Sequence, residues 1–526
     1  MATPGDRSGL DEEGAKATYT RLVNDRGPYT TRAEKNAQYT IPSLFPKESD
    51  DGSTDYATPF QSVGARGLNN LAAKITLSLL PVGQPFFRLN MGEFDLKEQG
   101  DPTLATQAQL GLSMIERICM AYAESAQIRP MTSEMAKQLL VAGNALVYWP
   151  PDMPTCRMYK LLNYVCERDA TSNVLQLIAK DLIAYSALPE EIRNVLPDGD
   201  YKPNTAVELY THVYRDSESD DWLEYQEVEG EVISGTENTY PADASPWIPV
   251  RLYKQDGENY GRSFVEEYIG DLVSLEKLSA SIVQFATIAS KILFMVQPNS
   301  STSVRRLAKA QSGDFIPGKK GDIEVFQLEK FADFATTKQV ADAIEQRLAF
   351  AFLLNSAVQR SGDRVTAEEI RYVSNELEAT LGGVYSVLSS EFQLPTVKRL
   401  LIELQATSKI PQLPPGALKP SVITGIDAIG RGQDASKLQQ FQLLVSAFLE
   451  KVSDRVDFDN LLLRAADASG LDPAGLILSD EQMQTKLSQQ AAQQGTMQAA
   501  AAAGNTAGAQ IGAAGADPEA MAEAMA

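Results

Sequence analysis

Apolar residues recur at helical spacing through the first part of the chain. They switch to alternation in a central block, then return to helical spacing in two long runs. Ser62–Leu80 places Val63, Leu68, Leu71, Ile75 and Leu79 on one face, which predicts an amphipathic helix. Ala105–Ala123 and Thr132–Ala142 carry the same period, and the polar stretches Asp11–Asn24 and Tyr29–Ala37 are helix-prone. Tyr39–Pro46 (YTIPSLFP) reads as extended, because a proline disfavours helix in the residue before it. From Ala145 to about Lys254 short β-prone runs (ALVYWP, CRMYKLLNYVCER, NVLQLIAKD) are separated by turn residues, and Val207–Tyr214 and Trp222–Val228 alternate as half-buried strands do.

The long runs follow DGENYGRS (Asp256–Ser263). Ser263 and Glu266 have capping-box spacing, in which each side chain satisfies a free backbone N–H near the other. The helix they open is expected to run to about Val296, where Pro298 stops it, a length of about 50 Å. Val265, Ile269, Leu272, Leu275, Ile282, Ala286, Ala289 and Leu293 keep one face of it. Such a helix belongs to a bundle, a coil or an assembly, or else is the core helix of a large domain. Residues 297–335 break the pattern with a PGKKGD turn between apolar runs, which suggests a small β element. Helix resumes over Thr336–Val358 and again from Ala367 to about Gln393, where Pro395 is expected to kink or end it. The polar loop between them carries Arg360 and Arg364, and Thr366 with Glu369 forms a second capping box. PQLPPGALKP (Pro411–Pro420) reads as a rigid linker, residues 424–488 as short helices, and the Ala/Gln/Gly-rich stretch from Gln489 as part helix and part disorder. The fold class is therefore α+β, mainly α.

Composition narrows the chemistry. The 526 residues suggest three or four units, and 44% apolar content supports a real core. A net charge of −22 argues against a protein that grips nucleic acid by neutralising phosphates. Residues 205–245 alone hold eleven acids and one base, Arg215, either as a solvated hairpin face or as an edge that repels DNA or meets a basic partner. Cys119, Cys156 and Cys166 lack metal-ligand spacing, and so sparse a count fits a reducing compartment. The single histidine, His212, sits in a strand pattern and reads as structural. No phosphate loop, dinucleotide fingerprint, zinc motif or nucleophile elbow occurs, so no enzyme, metal or cofactor is expected. The N-terminus has no apolar core of a signal peptide, and charges interrupt the apolar run after Phe264, so no membrane span is expected.

Several strings, in colinear order over about residues 10–480, carry a resemblance: YTIPSLFP, GARGLNNLA (Gly64–Ala72), VAGN (Val141–Asn144), YGRS (Tyr260–Ser263), LNSAVQR (Leu354–Arg360), RVTAEEIRYV (Arg364–Val373), LGGVYS (Leu381–Ser386) and GRGQD (Gly430–Asp434). The chain resembles the portal (head-to-tail connector) proteins of short-tailed phages of the autographivirus type. The resemblance implies a ring of twelve subunits around a DNA channel at one capsid vertex, serving DNA packaging and ejection. It implies a wing over residues 1–260 with a β-rich lobe at 145–255, a first stem helix at 261–296, a clip at 297–335 and a second stem helix at 336–355. A channel loop at 356–365, a wing helix and linker at 366–420, a crown at 421–488 and a tail at 489–526 complete it.

The same resemblance makes Gln359, Arg360, Ser361, Gly362, Asp363 and Arg364 the loop that faces DNA, either touching the phosphate backbone in passing or pairing with acids of neighbouring subunits. Arg305, Arg306, Lys309, Lys319 and Lys320 become clip candidates for motor and tail contact; nearby acids make inter-subunit ion pairs the alternative to DNA contact. Implied partners are other copies of the chain, double-stranded DNA, the terminase large subunit, major capsid and scaffolding proteins, tail adaptor proteins and internal core proteins. The implied locations are the virion and, during assembly, the host cytoplasm. The competing readings are a monomeric helical scaffold or adaptor, and a soluble hydrolase with its site in the β-rich lobe.

Overall fold

The computed structural model describes residues 13–47, 50, 52–81, 85–91, 102–151, 155–197, 201–216, 218–289, 293–298, 303–317, 319, 321–326, 331–354, 383–411 and 418–422. All belong to one compact unit, Met1–Ile429.

Helices α1 (Ala15–Gln38), α2 (Val63–Leu79), α3 (Pro102–Ser125) and α4 (Ile128–Ala142) build the first layer. The two polar stretches expected near the N-terminus fuse into α1, which runs straight through Pro28. Its first turn is capped from far away: the Glu227 carboxylate accepts the N–H groups of Ala15 (2.7 Å) and Lys16 (2.9 Å), donors that a helix start leaves without partners. YTIPSLFP is extended at Ile41 and holds a 3₁₀ turn at Pro42–Leu44, while its first residue, Tyr39, still caps α1. All five residues expected on the inner face of α2 are buried.

The strands follow. β1 (Phe87–Met91) lies within the part of the chain expected to be helical, and pairs antiparallel with the last described strand, β13 (Leu418–Val422). β2 (Asn144–Tyr148) and β3 (Arg157–Lys160) pair with each other, and β2 also takes β10 (Trp247–Arg251), in the order β10-β2-β3. The larger sheet runs β4 (Tyr164–Arg168), β5 (Val174–Ala184), β6 (Ala206–Arg215), β7 (Trp222–Val228) and β8 (Glu231–Val232), with β9 (Asn238–Tyr240) also on β7. All these pairs are antiparallel. One face of the large sheet packs Val165, Ile178, Tyr210 and Tyr225 against Tyr19 and Leu22 of α1. His212 is a buried strand residue between the Tyr225 hydroxyl (3.0 Å) and the Gln176 Oε1 (2.9 Å).

Two helices, α5 (Phe264–Ala289) and α6 (Phe331–Ala351), leave this body side by side, and a ribbon of β11 (Leu293–Val296) and β12 (Ile323–Phe326) lies between them in sequence. The helix expected to reach Val296 therefore ends at Ala289, and its last apolar residues form a strand. The helix expected over Thr336–Val358 starts at Phe331 and ends at Ala351. The chain re-enters the described region at α7 (Val384–Leu388), passes through a π-helical turn at Ser389–Gln393, and continues as α8 (Leu394–Ala406). Pro395 neither ends nor breaks this run. It occupies the first turn of α8, where a missing N–H is tolerated, directly after the wider π turn. The expected linker Pro411–Pro420 ends inside β13, so its last residues are sheet.

Candidate functional site

The root of the two-helix arm is set by the strings VAGN and YGRS. Gly143 follows α4 with a left-handed φ of 76°, and a Cβ there would lie 2.6 Å from the carbonyl carbon of Arg262. A Cβ on Gly261 would lie 2.8 Å from the Gly143 oxygen. The two backbones thus pass at a distance only glycine allows. Asn144 locks the crossing, accepting the N–H of Gly261 (2.7 Å) and donating to its carbonyl (2.9 Å).

One residue on, Ser263 caps α5: its hydroxyl accepts the Glu266 N–H (3.2 Å) and an amide hydrogen of Asn36 (2.8 Å). The Glu266 carboxylate is engaged by Arg262 (3.2 Å) and Arg32 (3.2 Å). Arg262 also grips Glu258, which holds the Glu258 carboxyl below its ordinary range. Burial, with Glu258 beside it, pushes the Tyr29 phenol up to about 12.

Along the arm, α5 and α6 are antiparallel: Phe285 stacks on Phe334 (4.9 Å) and Arg347 pairs with Asp271 (2.9 Å). Near the root the apolar face of α5 is used, with Phe264, Val265, Leu272 and Leu275 buried. Beyond Leu275 no residue of α5 is buried; Ala286 and Ala289 are exposed, Val283 is 49% and Ile288 54% exposed. On α6, Val340 is 48% and Phe350 73% exposed. By length and composition alone α5 is apolar enough to cross a membrane, yet only 11% of its most apolar stretch is buried within the chain. Glu266, Glu267, Asp271, Glu276 and Lys277 all fall within the first fourteen residues of α5, and the turns after Lys277 carry no charge.

At the far end, Arg305, Arg306 and Lys309 are brought together around a helical turn (Val304–Leu307). With Asp314 and Phe315 they line a shallow concavity of about 600 Å³. Phe315 is fully exposed, and Val304 and Leu307 are also exposed. Lys319 is not among the lining residues; its backbone N–H caps onto Asp322 (3.3 Å). Lys320, the loop residues Gln359, Arg360, Ser361, Gly362, Asp363 and Arg364, and the expected capping box Thr366/Glu369 lie outside the described residues.

Many acids of the central block are committed inside the chain. Glu227 caps α1, Glu224 accepts the Trp247 indole N–H (2.6 Å), Glu208 pairs with Lys180 (2.6 Å) and Asp243 with Lys398 (2.8 Å). Burial raises the Glu224 carboxyl. Among the described residues no cluster of His, Cys, Asp and Glu is arranged to hold a metal ion. The sequence reading also missed the pairing of Arg251 with Glu391: both Arg251 nitrogens facing it and the Arg251 N–H reach one carboxylate, at 2.5–3.3 Å. Its signal was an ionisable residue in a strand pattern otherwise apolar, WIPVR.

The chain is 53% identical to the portal protein of Enterobacteria phage T3 over 493 residues, covering 92% of each chain. It is 51% identical to the portal protein of Escherichia phage T7 over 526 residues, covering 98% of this chain and 97% of that one. A solved neck of an empty gene transfer agent particle aligns at 10% identity over 73% of this chain and 90% of that one, with a TM-score of 0.36. The family model described as bacteriophage head to tail connecting protein matches residues 12–477, and the chain belongs to that family.

Proposed function

We propose that this chain is the subunit of a portal ring: twelve copies around a channel, through which double-stranded DNA enters the head during packaging and leaves at ejection. The observation that carries the reading is the family match over residues 12–477, with portal proteins half identical along nearly the whole chain. The apolar turns of α5 and α6 support it. A face left uncovered by the described residues suits a neighbouring copy in a ring, where it would be buried on both sides. On this reading α5 and α6 are the stem, the ribbon β11–β12 with residues 297–322 is the clip, and everything before α5 is the wing. The crown, from about Ser421, and the tail from Gln489 lie outside the described residues apart from the end of β13.

The role is structural: the chain guides DNA and docks other proteins, with no chemistry of its own. The clip concavity of Arg305, Arg306 and Lys309 would meet the terminase large subunit and later the tail adaptors. Capsid, scaffolding and internal core proteins would contact the wing and crown. The ring would assemble in the host cytoplasm and remain at the portal vertex. Arg360 and Arg364 would touch the passing phosphate backbone locally in a channel whose acidic wall otherwise discourages adhesion. The purified chain imaged in negative stain should give rings with a central hole. Particles built with R360A/R364A should package or retain DNA less well than wild type; normal packaging and retention would remove the loop from the DNA path.

A further inference from the structure

The end of α6 is built in an unusual way. Leu353 adopts a left-handed φ of 54°, a conformation a bulky L-residue pays to enter. Around it the Leu354 N–H bonds the Ala349 carbonyl (2.8 Å) and the Leu353 N–H bonds the Phe350 carbonyl (3.0 Å). This is the double bond pattern of a Schellman helix stop, with leucine where glycine is customary. Helix α2 holds the stop in place. Asn70 Nδ2 donates to the carbonyls of Phe352 and Leu353 (3.1 Å each), and Lys74 Nζ donates to that of Leu353 (2.9 Å). Gly67 makes room: a Cβ there would sit 2.5 Å from Cγ of Phe352, whose buried ring also packs edge-on to Phe264 of α5 (5.4 Å). All three α2 residues belong to the string GARGLNNLAAK, in which a polar pair interrupts an apolar face. The sequence itself favours more helix here, since its period runs on to Val358.

We propose that Asn70 and Lys74 are positioning residues. By capturing the Phe352 and Leu353 carbonyls they stop the second arm at Ala351 against its own helical tendency, and so fix the point from which the loop 356–365 departs. The role in DNA handling rests on the reading of that loop as DNA-facing; the clamp itself does not. Its three parts act on one backbone site. Gly67 admits the ring, the two donors take carbonyls a helix end leaves without partners, and the strained Leu353 turns the chain away from the helix axis.

Hydrogen exchange read by mass spectrometry on the purified full chain tests the clamp, whatever its oligomeric state. In N70A/K74M the amides of Leu353 and Leu354 should exchange about tenfold faster or more, while those of Ala341–Leu348 stay as in wild type. K74R should stay near wild type. L353G, which removes the strain, should slow exchange at the stop, and should restore protection when added to N70A/K74M. Unchanged exchange at Leu353 and Leu354 in N70A/K74M, or a loss spread evenly along α6, would overturn the clamp. DNA retention in particles is then compared for N70A/K74M and R360A/R364A. Loss in both supports the positioning role. Loss in R360A/R364A alone overturns it, and loss in neither overturns the DNA-facing reading of the loop while the exchange result still stands.

Discussion

Arg251 carries a guanidinium into the interior, 2% exposed, and ends on Glu391 of the π turn. A charge in that position is tolerated only because its partner is fixed; removing Arg251 leaves the largely buried Glu391 with only the more distant Arg168 guanidinium, at 3.9 Å. Arg251→Met should therefore lower stability by about 3–5 kcal/mol, and R251M/E391L should recover part of the loss. Thermal unfolding of the three proteins side by side checks this; equal midpoints would mean that the pair is not what joins β10 to the π turn. Much at this scale was legible beforehand. A lone histidine in an alternating run is structural, as the contacts of His212 bear out, and Ser263 caps its helix as its spacing from Glu266 predicts. The other half of the capping box was not legible. Glu266 is taken by Arg262 and by Arg32, a residue on another helix, and spacing along one segment carries no information about that.

At the scale of elements, the periodic patterns predicted α2, β6 and β7 nearly to the residue, because each pattern matches a face that is buried, while the run CRMYKLLNYVCER divides into β3 and β4. The misses fall where a partner far along the chain decides. Leu293–Val296 continues the apolar face of α5, but pairs with Ile323–Phe326 and becomes sheet. Leu418–Val422 hides in proline-rich sequence, and pairs with β1 through a register that sets Pro420 opposite Leu89. The end of α6 is set by α2. Two predictions belong here. Gly143→Ala meets both a left-handed φ and a backbone 2.6 Å away, whereas Gly235→Ala meets a similar φ of 86° in open space. The second should cost about 1–2 kcal/mol and the first clearly more, read from unfolding midpoints. V283D/I288D places charges on the uncovered turns of α5. The subunit should fold, with wild-type circular dichroism, but fail to form rings in size-exclusion chromatography. Normal rings from this variant would show that these turns do not face a neighbouring copy.

At the scale of the whole molecule, the acidity of the chain fits the proposed ring. If twelve copies at −22 form the proposed ring, its formal charge is about −260, and a channel wall of that sign would disfavour the counterion release that makes DNA stick. The structure adds that many acids of the central block serve the subunit itself as caps and ion pairs, so the acidity is not all directed at partners. The arm with its uncovered apolar turns, the exposed Phe315 and the concavity of Arg305, Arg306 and Lys309 at the proposed clip fit a part surrounded by other parts. The most direct test is to purify the full chain and obtain its native mass together with single-particle class averages. The account predicts closed rings with a central hole, about 690 kDa at twelve copies of the 57.3 kDa chain. A protein that stays at 57.3 kDa with no ring at any concentration would contradict it.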